Sequence, residues 1–352
     1  MSYRVKFLDY SRLYTHYQPV VDDAMKQALV TGHLILQRDV EEFEQRFAEY
    51  LGVKHVVSTN SGTDALMLAL IAAGVGPGDE VITVSNTFIA TIQVIHHLGA
   101  KPVLVDVGED GLIDMDLMTD ALDLDKTKAV MPVHLAGDYV PEFYAAAPII
   151  EDACQAVGAK GVGYGYAQCY SFYPAKVLGT FGDGGALATN SDEVALRVKS
   201  LRNHGGVQKY DQATYEYGWN SRMDNVWAAV LNVKLDSLDV DLAKRKAIAE
   251  YYSAEFKELP IKLPTNREGR VWQDYVVETS DRDNLYFYLK EHGVETLGKG
   301  LVANHRHPGL GLEGWYLPNT DRIIAQSLRL PCNHFMKADE IEYVAATVKD
   351  FF

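Results

Sequence analysis

The chain has 352 residues, of which 47% are apolar and 23% charged, a balance typical of a globular protein with about two domain-sized units. The formal charge of −15 and the absence of a dense lysine and arginine run argue against a nucleic-acid partner. No stretch approaches the ~18 apolar residues that span a bilayer, and charges interrupt the N-terminal segment. We therefore expect no membrane insertion and no export, which predicts a cytoplasmic protein.

Short apolar segments alternate with helical patterns over the first two-thirds of the chain. The predicted strands are His55–Thr59, Glu80–Ser85, Pro102–Asp106, Ala129–Val133, Ile149–Glu151, Gln168–Phe172 and Ala186–Thr189. The helices predicted between them include Thr63–Ala73, Thr87–Leu98 and Met115–Leu122. This alternation predicts an α/β fold with a mostly parallel sheet flanked by helices. Such sheets bind ligands beyond the carboxyl ends of their strands.

The pattern changes after about Asn190. Three longer helices are predicted there, over Glu193–His204, Met223–Leu238 and Asp241–Leu259, and a weaker α+β segment follows from Ile261. We expect a large α/β domain over residues 1–238 and a smaller α+β domain over residues 239–352.

A short polar segment, Asn60–Asp64, separates the first predicted strand from an apolar helix. Gly62 permits a ligand to approach closely, and the first amides of a helix are unpaired and electropositive, which suits a phosphate. The same residues also suit ordinary helix capping, and taken alone this interpretation is the better one.

Two adjacent carboxylates, Glu151 and Asp152, end the fifth predicted strand. They point to opposite faces, so only one of them can enter a given site. Such a carboxylate could hold a positively charged ring nitrogen, or it could lie at a solvated strand end or cap a helix.

Lys176 follows the sixth predicted strand in the segment Ser171–Lys176, and the glycine-rich segment Gly182–Gly185 comes soon after it. Burial of a lysine lowers its pKa, which suits a lysine that bonds to an aldehyde. A phosphate, a protonated ring nitrogen and an aldehyde together describe pyridoxal 5′-phosphate. No metal is expected, because the three cysteines (Cys154, Cys169 and Cys332) form no CxxC pair and indicate free thiols.

Over most of its length the sequence resembles the DegT/DnrJ/EryC1/StrS sugar aminotransferases, which share the aspartate aminotransferase fold (fold type I). The resemblance rests on an ordered set of segments: Phe43–Phe47, Ser61–Leu70, Gly78–Ile82, Thr87–Thr91, Gly99–Asp106, Val133–Gly137, Glu151–Ala159, Ser171–Gly185, Leu201–Gly205 and Gly218–Leu231. It implies that the chain transfers an amino group from an amino acid, L-glutamate by family expectation, to a nucleotide-linked 3-keto or 4-keto sugar. The product would serve surface polysaccharides such as lipopolysaccharide or glycosylated metabolites.

The resemblance also implies roles for individual residues. Lys176 would bond to the cofactor aldehyde and carry a proton, Asp152 would pair with the ring nitrogen, and Gln155 would donate to the phenolic oxygen. Phe88 would stack on the ring, or it could be a core aromatic. The phosphate would be held by Gly62, Thr63 and Ser171 and, from the neighbouring subunit of a homodimer with shared sites, by Asn220. Asn220 could instead cap the helix predicted from Met223.

Some segments depart from the family pattern. The connection between Gly137 and Glu151 is short for a family that usually carries a longer helix there, and the segment before Ser171 is short and glycine-rich. His305 and His307 stand where the family contacts the sugar, so they are substrate candidates or surface histidines. Arg222 could bind a carboxylate or phosphate of a substrate, or form a structural ion pair.

Three alternatives differ from this interpretation. A sugar dehydratase of the same family carries histidine at the Schiff-base position, and Lys176 argues against it. The acceptor could also be a cyclitol ketone or a keto sugar without a nucleotide. A ligand-sensing regulator would need a DNA-binding module, which we do not expect because the fold pattern begins almost at the N-terminus.

Overall fold

A computed structural model describes residues 3–206 and 216–352. Its elements in chain order are α1 Tyr10–Val30, α2 Arg38–Leu51, β1 His55–Thr59, α3 Gly62–Ala72, β2 Glu80–Val84, α4 Ala90–His97, β3 Lys101–Val105, α5 Met115–Asp120, β4 Thr127–Val130, β5 Ile150–Asp152, β6 Ala167–Ser171, β7 Gly185–Thr189, α6 Asp192–Leu201, α7 Asn225–Leu235, α8 Leu238–Phe256, β8 Tyr275–Glu278, α9 Arg282–Glu291, α10 Pro318–Gln326, β9 Ser327–Leu330 and α11 Ala338–Phe351. The helices and strands predicted for residues 55–259 all form, β1 with the predicted bounds and the others with shifted ends.

Strands β1 to β7 form the central sheet. β2 pairs in parallel with β3 and β4, and β6 pairs in parallel with β5. β7 is antiparallel to both of its neighbours, β6 and β1. Parallel bridges from Val130 to Ile149 and from Val133 to Asp152 join the two sets of strands edge to edge. The order is therefore β3-β2-β4-β5-β6-β7-β1, which confirms the mostly parallel seven-stranded sheet.

Helix α4 begins at Ala90, three residues after the predicted start at Thr87. The Thr87 carbonyl accepts from Asn304 Nδ2 at 2.7 Å, and the Thr91 amide bonds to the Phe88 carbonyl at 3.2 Å instead. The segment before the helix therefore stays non-helical, and the Phe88 side chain in it is 69% exposed. This contact comes from a distant part of the chain, so the local pattern could not predict it.

The connection from β4 to β5 contains no helix; all of its residues are described. It is thus a crossover between parallel strands without the usual covering helix. The connection that was noted as short for the family is therefore an irregular segment in the structure, between Val130 and Ile150.

A second apolar core lies apart from the sheet. It includes Tyr252, Phe256, Trp272 and Tyr275, together with Val5, which bridges to Val294 in a different part of the chain. Helix α8 contributes its later residues to this second core, and its first residue, Leu238, to an apolar cluster against the central sheet that includes Tyr170 and Phe172. The domain boundary between residues 238 and 239 stays a prediction. None of the described helices is both long and apolar enough to cross a membrane.

Candidate active site

A cavity of about 680 Å³ lies beyond the carboxyl ends of β1, β5 and β6. Seven residues singled out from the sequence line it: Gly62, Thr63, Phe88, Asp152, Gln155, Ser171 and Lys176. The other four candidates, Asn220, Arg222, His305 and His307, do not line this cavity.

One wall of the cavity is the start of helix α3. Ser61 caps this helix through its hydroxyl, which accepts from the Asp64 amide at 3.1 Å. The amides of Gly62 and Thr63 have no acceptor among the described residues. A Cβ at Gly62 would lie 2.8 Å from Ser171 Cβ and 2.9 Å from Cys154 Sγ, so only glycine permits this close packing. Two free amides at a helix start, beside the Ser171 hydroxyl, fit a phosphate.

The two carboxylates at the end of β5 have different surroundings. Asp152 lines the cavity and accepts from Thr91 Oγ1 at 2.8 Å and from the Cys154 amide at 3.2 Å. These neutral donors leave its charge uncompensated, so the carboxylate fits a protonated ring nitrogen.

Glu151 is fully buried on the opposite face of the strand and does not line the cavity. Its oxygens accept hydrogen bonds from the amides of Gly163 and Gly165, at 3.0 and 2.6 Å, and from Gln168 Nε2 at 3.0 Å. His134 Nε2 lies 3.0 Å away. The structure thereby gives Glu151 a set of partners that hold the irregular segment before β6.

Gln155 has its amide orientation set by the backbone. The Ala136 amide donates to Gln155 Oε1 at 2.9 Å, so Nε2 remains as a donor at the cavity. This arrangement suits the predicted hydrogen bond to a phenolic oxygen.

Lys176 lies in a turn after β6, where its amide donates to the Tyr173 carbonyl at 2.8 Å. Among the described residues its ammonium has no ion pair and no hydrogen bond. Close by, burial raises the pKa of the Cys154 thiol well above its usual value, and the negative charge of Asp152 adds to the rise. Cys154 is therefore a neutral part of the cavity wall, and the Lys176 amine, which lines the same cavity, is the candidate nucleophile.

A second cavity of about 680 Å³ adjoins the first and shares Thr87, Phe88, Gln155 and Asp274 with it. His307 lines it, as do three cations that are all paired with carboxylates. These pairs are Arg270 with Asp138 at 3.3 Å, Arg329 with Asp274 at 3.3 Å and Lys262 with Glu278 at 3.0 Å. No sequence motif marks these residues, because they come from separate segments of the chain.

His305 is completely buried and contacts Ser85 Oγ through Nδ1 at 2.7 Å. Its Nε2 lies 3.3 Å from Asp321, and burial lowers the pKa of the imidazole. His305 lines neither of the two cavities, and because the ring is buried it is not a surface histidine either; its contacts are with Ser85 and Asp321.

Asn220 forms a backbone bridge with Asn203, and Arg222 Nη1 donates to Asn203 Oδ1 at 3.2 Å. The helix that follows begins at Asn225 with Asp224 as its N-cap, so Asn220 does not cap it. The next residue, Ser221, donates to Asp64 Oδ2 at 2.7 Å and joins this segment to the start of α3.

The sequence matches the model of the DegT/DnrJ/EryC1/StrS aminotransferase family over residues 18–349. A dTDP-3-amino-3,4,6-trideoxy-alpha-D-glucose transaminase from Streptomyces venezuelae is 37% identical, with 99% of this chain and 96% of that protein aligned. A UDP-2-acetamido-2-deoxy-3-oxo-D-glucuronate aminotransferase from Pseudomonas aeruginosa is 33% identical over 98% of this chain and 99% of that one.

The fold of this chain is also similar to those of solved aminotransferase structures. The S. venezuelae DesV structure, in complex with a ketimine intermediate, superposes with a TM-score of 0.92 at 36% identity, covering 99% of this chain and 98% of that chain. NtdA from Bacillus subtilis, with bound cofactor PMP, has a TM-score of 0.92 at 29% identity and covers 100% of this chain and 86% of that one.

Proposed function

The chain belongs to the DegT/DnrJ/EryC1/StrS aminotransferase family, a family of pyridoxal-phosphate enzymes, and from that premise we propose that it aminates carbon 3 of a nucleotide-linked keto sugar. The observation that carries the proposal is the convergence of a phosphate cradle, an uncompensated carboxylate and an unpaired lysine in one cavity. Carbon 3 is favoured because the names of the two relatives above contain 3-amino and 3-oxo. L-Glutamate is the proposed amino donor.

When bound, pyridoxal phosphate supplies an electron sink for the amino group's departure from the donor. In the proposed mechanism Lys176 would hold the cofactor covalently and would carry a proton within the cavity. Asp152 would pair with the ring nitrogen and keep it protonated, and Gln155 Nε2 would donate to the phenolic oxygen. Gly62, Thr63 and Ser171 would hold the phosphate, and Phe88 would cover the ring. Since one lysine serves both halves of the reaction, ping-pong kinetics are expected.

We place the acceptor sugar in the second cavity. Its position beside Phe88 and Gln155 would bring a sugar carbon next to the cofactor. His307 lies in the predicted smaller domain, residues 239–352 (the small lobe, as opposed to the large lobe of residues 1–238), and would offer one hydrogen bond. We assign His305, by contrast, a structural role, through its contacts with Ser85 and Asp321. The use of the product in a surface polysaccharide or a glycosylated metabolite, and a cytoplasmic location, stay predictions.

We also propose a homodimer with shared active sites. Asn220 and Arg222 lie outside this chain's cofactor cavity, and the neighbouring Tyr217 is 96% exposed, which supports a contact with a second copy. Mixing Lys176→Ala with Asn220→Ala protein should restore activity, because a heterodimer contains one site with both residues intact. If subunit exchange is demonstrated but activity stays at the level of the unmixed variants, the shared-site model is wrong.

The function is tested with a panel of nucleotide-linked 3-keto and 4-keto sugars, each incubated with glutamate and holoenzyme and analysed by mass spectrometry. Amination of a 3-keto sugar is the expected result. Amination of 4-keto sugars alone would overturn the assignment to carbon 3. Amination only of cyclitol ketones or free keto sugars would overturn the proposal that the acceptor carries a nucleotide. Loss of water from the sugar without gain of nitrogen would instead identify a dehydratase.

A further inference from the structure

The peptide groups on either side of Lys176 are both bound by one side chain, that of Gln273. The Val177 amide donates to Gln273 Oε1 at 3.2 Å, and Gln273 Nε2 donates to the Ala175 carbonyl at 3.1 Å. The primary amide therefore uses its acceptor on one side of the lysine and its donor on the other. No motif in the sequence marks this glutamine.

Gln273 reaches the lysine from the other lobe. It lies between Trp272 and Tyr275, which belong to the second apolar core, and it lines the cofactor cavity. The rest of the turn is held from within the large lobe. There the Thr180 amide donates to the Phe172 carbonyl at 2.8 Å, and Lys234 Nζ donates to the Gly179 carbonyl.

The backbone of Gln273 is itself fixed. Arg245 Nη1 donates to the carbonyls of Trp272 and Gln273, at 3.2 and 3.0 Å. The Val271 amide donates to the Gly137 carbonyl at 3.0 Å, and a Cβ at Gly137 would lie 2.1 Å from the Val271 carbonyl oxygen, so the two segments are in close contact. Because its backbone is held by these contacts, the Gln273 side chain can fix the peptide groups on either side of Lys176 through its two hydrogen bonds.

We propose that Gln273 is a positioning residue that sets the place of Lys176 Nζ in the cavity and couples it to the small lobe. The inference rests on the proposed role of Lys176 as the lysine that binds the cofactor. Proton transfer requires close placement of donor and acceptor, and a displacement of about 1 Å can cost about 100-fold in rate. Gln273 does not itself exchange a proton with the substrate, because a primary amide is neither an acid nor a base near neutral pH.

The test compares Gln273→Met and Gln273→Glu with Gln93→Met. Gln93 is the matched control, since it is exposed on α4 and its side chain bonds to no described residue. Gln273→Met removes both hydrogen bonds at similar volume. Gln273→Glu keeps an acceptor for the Val177 amide, loses the donor to Ala175 and adds a negative charge near the lysine.

Gln273→Met should lower kcat by about 10-fold to 100-fold, with the KM of the amino donor changed less than about 2-fold. In Gln273→Met the midpoint of the pH titration of the lysine-bound cofactor's visible absorbance should shift by about half a pH unit or more. In Gln273→Glu the midpoint should lie at higher pH than in Gln273→Met, because the added negative charge stabilises the protonated form of the lysine-bound cofactor. Hydrogen exchange of the Val177 amide in the cofactor-free protein should accelerate in Gln273→Met. Gln93→Met should match the wild type in every measurement.

A Gln273→Met protein that loses only thermal stability, with the wild-type kcat and absorbance titration, would overturn the positioning role. If Gln273→Met does not fold, a Gln273→Glu protein with the wild-type kcat and titration midpoint would overturn it equally. Failure of the proposed function looks different: the wild type would then aminate no sugar, or the cofactor would label a lysine other than Lys176.

Discussion

The two adjoining cavities have the same volume, about 680 Å³, but they are built from the chain in different ways. Most of the candidate cofactor residues of the first cavity lie in short segments at the ends of central-sheet strands, whereas Gln273, Asp274 and Asn333 reach it from the later part of the chain. The charged groups of the second cavity come from both lobes and from residues as far apart as Asp138 and Arg329. The residues proposed to bind the cofactor are therefore mostly in local motifs, whereas the proposed acceptor site depends on how distant segments meet.

The two cavities also differ in charge. In the cofactor cavity, Lys176 has no partner among the described residues, and Asp152 is met by neutral donors. In the second cavity, the three lining cations are already paired with carboxylates. A cofactor can therefore supply the missing partners in the first cavity, whereas a charged ligand group in the second must compete with existing ion pairs. Three predictions test this comparison, and a fourth concerns a buried lysine behind the first cavity.

The largest effect is expected at the unpaired lysine. Lys176→Ala should reduce transamination by at least about 10³-fold, because it removes both the nucleophile and the proton carrier. Borohydride reduction of the wild-type holoenzyme, followed by peptide mapping, should place the cofactor on Lys176. The control is Lys128→Ala, at an exposed position on β4, which should retain full activity. A label on any other lysine contradicts the assignment.

The two neighbouring carboxylates should separate activity from stability. Asp152→Asn is expected to lower kcat by about 10² to 10³-fold, since the charge opposite the ring nitrogen is lost, with little change in unfolding. Glu151→Gln should keep most activity but lower the free energy of unfolding by about 2 kcal/mol, because an amide cannot accept all the bonds that Glu151 accepts. Steady-state kinetics and urea denaturation of both variants measure the two effects. The reverse pattern would make Glu151 the functional carboxylate.

Behind the lysine turn, Lys234 is buried and its pKa is lowered to about 7, chiefly by desolvation. Asp241 opposes this shift, whereas Arg245 adds to it, and Tyr17 and His334 lie in the same cluster. Between pH 7 and about 10 the unfolded chain binds a proton at this lysine that the folded chain does not, so stability should rise with pH in this window.

Lys234→Met should remove this rise, and the difference in unfolding free energy between variant and wild type should change by about 2 kcal/mol from pH 7 to pH 9. Denaturant titrations at the two pH values give the result, with the exposed Lys246→Met as control. Parallel pH dependences of Lys234→Met and wild type would show that the lysine titrates normally in the folded protein.

The smallest effect is expected in the second cavity. His307→Ala should raise the KM of the acceptor sugar about 5-fold, the value of one hydrogen bond of about 1 kcal/mol, without changing the KM of the amino donor. His97→Ala, at the exposed end of α4, serves as the control. An equal rise in both KM values would remove the distinction between the two cavities.

The sequence was sufficient to predict the α/β fold and seven of the residues that line the cofactor cavity, but other features needed the structure. From the residues alone Glu151 and Asp152 are alternatives, and the family resemblance selects Asp152; the structure adds that Asp152 lines the cavity whereas Glu151 is bonded on the other face of the strand. The sequence also offered His305 and His307 as equivalent candidates, although one ring is buried against Ser85 and the other lines a cavity. In both cases the deciding partner lies far away in the chain.

What the sequence determined by itself follows from local rules. Alternating apolar segments form strands covered by helices, and the carboxyl ends of parallel strands meet at one edge, so the polar residues after Thr59, Ile150 and Tyr170 had to converge. Only the tertiary structure decided that Gln273 would bind both peptide groups beside Lys176, and that Arg270 and Arg329 would face one cavity. These contacts depend on the packing of two lobes, and packing between distant segments has no period or spacing that a sequence pattern could record.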